Sequence, residues 1–176
     1  MIILLTAISR AIEKINSIGK TAKDKQSKIS VSEVWHLWDL LVARYDVISE
    51  TQMLKDFASD FDFKFILESG LDTLKDQVNH LERLMGEYGI PLPEKPPETV
   101  TSTVDLEEIT DKYIYRRILR GIQDFLNIHL SSVSQATSAI MRGTFIAMLV
   151  EEIKIFDGFM EYGKLKGWTY TPPHYK

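Results

Sequence analysis

The stretch GIPLPEKPPETVTSTVD, Gly89 to Asp105, holds four of the chain's six prolines. Sequence with helical periodicity flanks it on both sides. Connections between helices in bundles usually take about 2–8 residues. A gap this long must do something a tight turn cannot, and what it does depends on its flanks.

Upstream, ISVSEVW carries a helix-start signal. Ser30 and Glu33 have the spacing of a capping box, with Ile29 and Val34 as its hydrophobic staple. Val31, Val34, Trp38, Leu41, Tyr45 and Ile48 then alternate threes and fours, the seam of a packed bundle helix. This pattern predicts helix A over 31–58. SDFD is the next break, with Asp60 as N-cap. Helix B is expected over 62–88, with the regular seam Leu67, Leu71, Leu74, Val78, Leu81, Met85 and Tyr88. The short turn makes A and B antiparallel.

Downstream, Asp105 and Glu108 suggest a second capping box. Helix C is expected over 106–139, with Ile118, Ile122, Phe125, His129, Val133, Ala136 and Ile140 inward. MRG at 141–143 reads as a turn. Helix D follows over 144–166, with Phe145, Leu149, Glu152, Phe156 and Phe159 inward. Gly167 suits its C-terminal stop, and Lys164 and Lys166 favour the negative helix end. The aromatic tail, Trp168, Tyr170 and Tyr175, is expected to pack back on the bundle.

Two residue ranges divide the chain. Residues 1–28 read as an amphipathic helix of roughly 17 residues, apolar at Leu4, Ile8, Ala11, Ile12, Ile15 and Ile18, followed by a solvated lysine-rich linker, GKTAKDKQSK. Residues 29–176 form the bundle. The fold class is therefore all-α.

At 176 residues, 44% hydrophobic and 26% charged, the chain can bury one good core. A net charge of −4 argues against nucleic acid as a partner. The absence of cysteine excludes disulfides, thiolate ligands and thiol nucleophiles, and suits the reducing cytosol. The opening apolar run has no basic region before it, and Arg10, Glu13 and Lys14 interrupt it. Neither a signal peptide nor a membrane span is expected.

The long gap now has a use. Helix B is about 40 Å long at about 1.5 Å per residue. The gap, fully extended at about 3.3 Å per residue, spans about 56 Å. It can travel the whole bundle and start helix C parallel to B, and its prolines favour a stiff, extended path. Short loop, long crossover, short loop is the order of ferritin-like bundles. SEVWHLWDLLVARYD, YGIPLPEKPP and KGWTYTPPHYK, in that order, resemble the uncharacterised ferritin-like proteins of spore-forming bacteria related to F-type spore-coat proteins. The resemblance covers residues 29–176. It implies a ferritin-like four-helix bundle with a helical N-terminal extension, and by association a sporulation or spore-coat role. It implies no established reaction.

A ferritin-like di-iron site takes Glu from two helices and Glu-x-x-His from two others. Glu33-Val-Trp-His36 matches literally, but Glu33 has a capping task and falls beside the expected seam. Gln77-Val-Asn-His80 offers an amide in place of the carboxylate, and His80 reads as solvated. His129 and Glu152 differ, because each interrupts an apolar stripe. Antiparallel pairing of C and D puts them at matching heights, near Arg44 on helix A and Gln77 on helix B. A buried carboxylate must be paired, protonated or metal-bound. One reading is a satisfied polar network, Glu152 with His129 or Glu152 with Arg44; the other takes His129 and Glu152 as metal ligands, with Glu33, Gln77 and His80 as helpers.

These residues favour a non-enzymatic structural or interaction protein that needs no cofactor. The expected partners are a second copy, as a homo-dimer or higher homo-oligomer, and spore-associated proteins; the expected location is cytoplasmic or spore-associated. The alternative is a metal-binding bundle with redox or storage chemistry, holding iron, manganese or zinc.

Overall fold

The computed structural model describes residues 15, 21–101 and 109–170. Its helices are α1 (Ala22–Gln26), α2 (Val31–Phe57), α3 (Phe61–Glu87), α4 (Asp111–Gln135) and α5 (Ala139–Lys166), with no strand among the described residues. The expected N-terminal helix and the Asp105–Glu108 capping box lie outside the described residues, apart from Ile15. The lysine-rich linker contains α1, which a Thr21–Asp24 capping box starts.

Hydrogen bonds between helix ends fix the topology. The Asp111 carboxylate at the start of α4 accepts the backbone N–H groups of Ser59 and Asp60 at 2.8 and 3.0 Å. Lys166, at the end of α5, reaches Asp60 at 2.7 Å. At the opposite end, Glu33 near the start of α2 accepts from Ser138 in the α4–α5 turn at 2.7 Å. Helices α3 and α4 therefore begin at the same end and run parallel. Residues 88–101 carry the chain back along the bundle. Lys95 binds Glu82 at 2.8 Å, and further along Gln52 bonds the backbone of Glu98 and Val100. The proline-rich stretch is the expected crossover. It leaves α3 through Gly89, whose φ of 62° lets Ile90 N–H return to Met85 O at 2.9 Å.

Both antiparallel turns are set by side-chain caps. The Ser30–Glu33 box and the Asp60 cap form as expected, Asp60 Oδ1 accepting from Phe63 N–H at 3.0 Å. Two boundaries differ. Helix α4 begins at Asp111, capped by Thr110, so residues 109–110 are not helical. The α4–α5 break falls at Ala136–Ser138, and Met141–Gly143 lies inside α5. The Ser138 hydroxyl accepts from Met141 N–H, while Arg142 donates to Ala136 O at 3.0 Å. These bonds begin a helix where Gly143 suggested an end. Gly167 closes α5 at φ 67°, as expected.

The inward face of α2 is rotated from the expected seam. Leu37, Leu40, Leu41 and Tyr45 are buried together with Glu33, His36 and Arg44, while Val31 and Trp38 are exposed. The core has two parts. One gathers Leu37, Leu41, Met85, Phe125 and Phe145; the other gathers Phe63, Leu67, Ile114 and Tyr115, with Trp168 from the tail packed on it. Arg44 and His129 are buried on stretches of α2 and α4 whose neighbours, Leu41, Tyr45 and Phe125, belong to the first part, and Glu152 is buried on α5.

One contact in the second cluster is close enough to test. The Tyr115 ring stacks on Phe159 at 4.7 Å and passes directly over Gly163. A Cβ at Gly163 would fall inside the envelope of the Tyr115 hydroxyl and ring. Tyr115 is fully buried, so it has nowhere to move. Gly163→Ala is expected to cost about 3 kcal/mol, at the upper end of core overpacking, despite the better helix propensity of alanine. Adding Tyr115→Leu should recover part of that loss in urea denaturation. A neutral single variant would show that α4 and α5 slide freely past each other.

Candidate functional site

Helical spacing brings three polar side chains into the core. Arg44 lies seven residues after Leu37, His129 four after Phe125, and Glu152 seven after Phe145, each on its helix's buried stripe. Their exposures are 4%, 2% and 1%. Arg44 Nη2 is 2.5 Å from Glu152 Oε2 and 3.2 Å from His129 Nε2. His129 Nε2 and Glu152 Oε2 are 3.6 Å apart. The Arg44 guanidinium also lies 3.9 Å over the Phe125 ring. The expected His129–Glu152 pair is present, with Arg44 as its centre.

Burial works to raise the Glu152 pKa. The neighbouring His129 and Arg44 outweigh it and hold the carboxyl below the ordinary glutamate value. Arg44 is the stronger partner, because 3.6 Å is too long for a hydrogen bond from the imidazole. A guanidinium can only donate, so the 3.2 Å contact with Arg44 is a hydrogen bond in the tautomer that leaves His129 Nε2 as acceptor. Nδ1 is buried and has no hydrogen-bond partner among the described residues.

Two cavities adjoin the cluster. One of about 410 Å³ opens between α3 and α5, with Arg44, Phe125 and Glu152 in its wall. The other, of about 380 Å³, is more polar and lies against Arg44, Gln77, His80 and His129. Gln77 Oε1 is also buried without a partner among the described residues. His80 is on the exposed side, as expected, with Nδ1 3.0 Å from Arg83.

Glu33 and His36 are not beside the seam but buried in it. Glu33 accepts from Ser30 N–H at 2.6 Å through one oxygen and from Ser138 N–H at 2.7 Å through the other. It ties the start of α2 to the α4–α5 turn. That second bond spans 105 positions, so no local pattern signals it. His36 packs edge-on to Phe145 at 6.1 Å. Glu33 precedes Arg44 by eleven positions on α2, about 16 Å along the axis. The structure therefore brings Gln77 and His80 to the His129 cavity and keeps Glu33 away. Among the described residues no three His, Asp or Glu side chains gather closely enough for a metal ion. This set does not fit a di-iron centre. Asp124 on α4 is exposed beside Arg120.

Matching heights along the helices placed Arg44 beside Glu152 in the sequence, and the structure joins them. Among the described residues no helix is long and apolar enough to cross a membrane.

Similar folds occur in two solved structures. A candidate spore coat protein from Bacillus halodurans superimposes with a TM-score of 0.76 at 20% identity, over 84% of this chain and 96% of that one. A conserved hypothetical protein from Mycobacterium tuberculosis gives a TM-score of 0.61 at 14% identity, over 76% and 98%. At these identities the likeness is one of fold. Among curated sequences, the uncharacterized protein YvdQ of Bacillus subtilis is 30% identical over 77 residues, a match spanning 44% of either chain. The family model for proteins of unknown function called DUF3231 matches residues 17–176, and the chain belongs to that family.

Proposed function

We propose that the protein is a non-enzymatic structural or interaction protein of ferritin-like architecture that works in a spore-associated assembly. The observation behind this reading is Arg44. A bundle that stores or activates a metal presents core carboxylates to the ion. Here the guanidinium occupies the core carboxylate at 2.5 Å, and the Glu33 carboxylate is spent on two backbone caps. Charge that could do chemistry is consumed in holding helices together. On the outside, Val31, Trp35 and Trp38 form a helical stripe at 87%, 56% and 36% exposure, and the two indoles stack at 6.0 Å. Exposed tryptophans of this kind are common anchors of protein interfaces. The fold likeness to a candidate spore coat protein supplies the spore context.

A second reading has its own support. The unpartnered His129 Nδ1 and Gln77 Oε1 lie in residues of one cavity with His80. A single iron, manganese or zinc ion could take those donors, with Glu152 joining if Arg44 swings away.

Elemental analysis separates the two. The structural reading expects purified protein with no stoichiometric metal and a melting temperature unchanged by chelator. One transition-metal equivalent per chain, lost in His129→Ala, would replace it with the metal reading.

A further inference from the structure

Gly70 on α3, Gly121 on α4 and Gly158 on α5 all line the 410 Å³ cavity. At none of them would an added Cβ meet another atom within 4 Å. Glycine inside a helix costs roughly 0.5–1 kcal/mol relative to alanine. In the isolated bundle nothing close-packed requires any of the three. The broadly packed pairs are α2–α3, α2–α4 and α4–α5. Helices α3 and α5 leave a slot between them, and the glycines give it room for another backbone.

The same chain carries a second apolar stripe in its sequence. Residues 1–20 precede the described bundle, and their apolar positions recur at helical spacing over roughly 17 residues, about 26 Å of helix. Ile15, on that apolar face, is helical and 70% exposed, so its own bundle does not cover it. The segment leads into α1, which Lys25 and Gln26 tie to Glu87 and Gly89 at the far end of α3.

We infer that the slot between α3 and α5 receives the N-terminal amphipathic helix of a second copy of this chain, and that two copies exchange these helices about a two-fold axis. Reciprocal exchange closes the assembly and covers both apolar faces at once. The inference deepens the interaction reading by naming one interface. The two fail separately, since a monomeric protein defeats the exchange and leaves other partners standing.

Light scattering on the full chain should give twice the chain mass. Gly121→Leu and Gly158→Leu fill the slot while improving helix propensity, so they should yield monomers whose melting temperature is unchanged or higher. The chain has no cysteine, which makes cross-linking specific. A variant carrying Ile15→Cys, mixed with variants carrying Gly70→Cys, Gly121→Cys or Gly158→Cys, should form a disulfide between chains with at least one of them. A monomeric wild type overturns the inference. So does a dimer that survives both leucine variants, or a double-cysteine chain that bridges only within itself.

Discussion

Replacing Glu152 with alanine is expected to cost about 3–5 kcal/mol of unfolding free energy, the usual effect of breaking a buried ion pair from one side. The cause is what remains. Arg44 is 4% exposed, and its nearest acceptor after Glu152 is one imidazole nitrogen at 3.2 Å. The guanidinium cannot lose its proton, so it must stay charged and unpaired or drag α2 apart. Changing Arg44 to Met and Glu152 to Leu together should cost far less than the single change, because both desolvation penalties vanish. Acid separates the variants further. The folded Glu152 pKa is lowered, so its contribution is complete above the unfolded value of about 4.3 and is lost as pH falls through the folded value. Wild type should therefore lose its advantage over Glu152→Ala below about pH 4, while the double variant shows a flatter acid limb. Chemical denaturation between pH 7 and pH 3 reads both effects. A Glu152→Ala cost under about 1 kcal/mol would show that water from the adjoining cavities already solvates Arg44.

Local signals in the sequence were legible, and distant partnerships only in part. Ser30, Asp60 and Gly167 cap or stop helices through bonds within a few positions, and all three are where their neighbours predict. His129 and Glu152 were legible because two polar residues interrupt two otherwise apolar stripes. The phase of α2 was harder. Hydrophobicity places Trp38 inside and Glu33 outside, yet the structure has the reverse. Glu33 can be buried because Ser138 N–H, a hundred positions away, satisfies it. Arg44 can be buried because Glu152 does the same. A pattern that scores each residue by its own polarity cannot see the Ser138 partner, whereas counting heights along the helices does bring Arg44 to Glu152. The α4–α5 break was missed for a related reason. Gly143 suggests a stop, but the Ser138 cap and the Arg142 bonds to the preceding carbonyls start the helix five residues earlier.

Removing residues 92–105 from the crossover is expected to abolish the native fold. The connection from α3 to α4 runs over residues 88–110. The cut leaves nine linking residues, which reach about 30 Å when fully extended. Helix α3, 27 residues long, measures about 40 Å. The shortened chain cannot bring Asp111 to the Ser59–Asp60 turn, so the α4–α5 hairpin would have to reverse or detach. Reversal puts Asp111 at the wrong end and strands Glu33 without Ser138. The Arg44–Glu152 pair would be lost with it, since its height depends on α5 ending beside Asp60. Length and stiffness can be told apart. A Gly/Ser replacement of residues 91–101 at equal length should fold, because reach is preserved. It should lose roughly 2–4 kcal/mol, as four prolines each worth about 0.4–1 kcal/mol of restricted unfolded chain disappear, along with the exposed Lys95–Glu82 contact. Far-ultraviolet circular dichroism and urea melts distinguish the two variants. If the deletion keeps a cooperative transition and the native mass, helices α3 and α4 do not need to run parallel, and the crossover is only a surface loop.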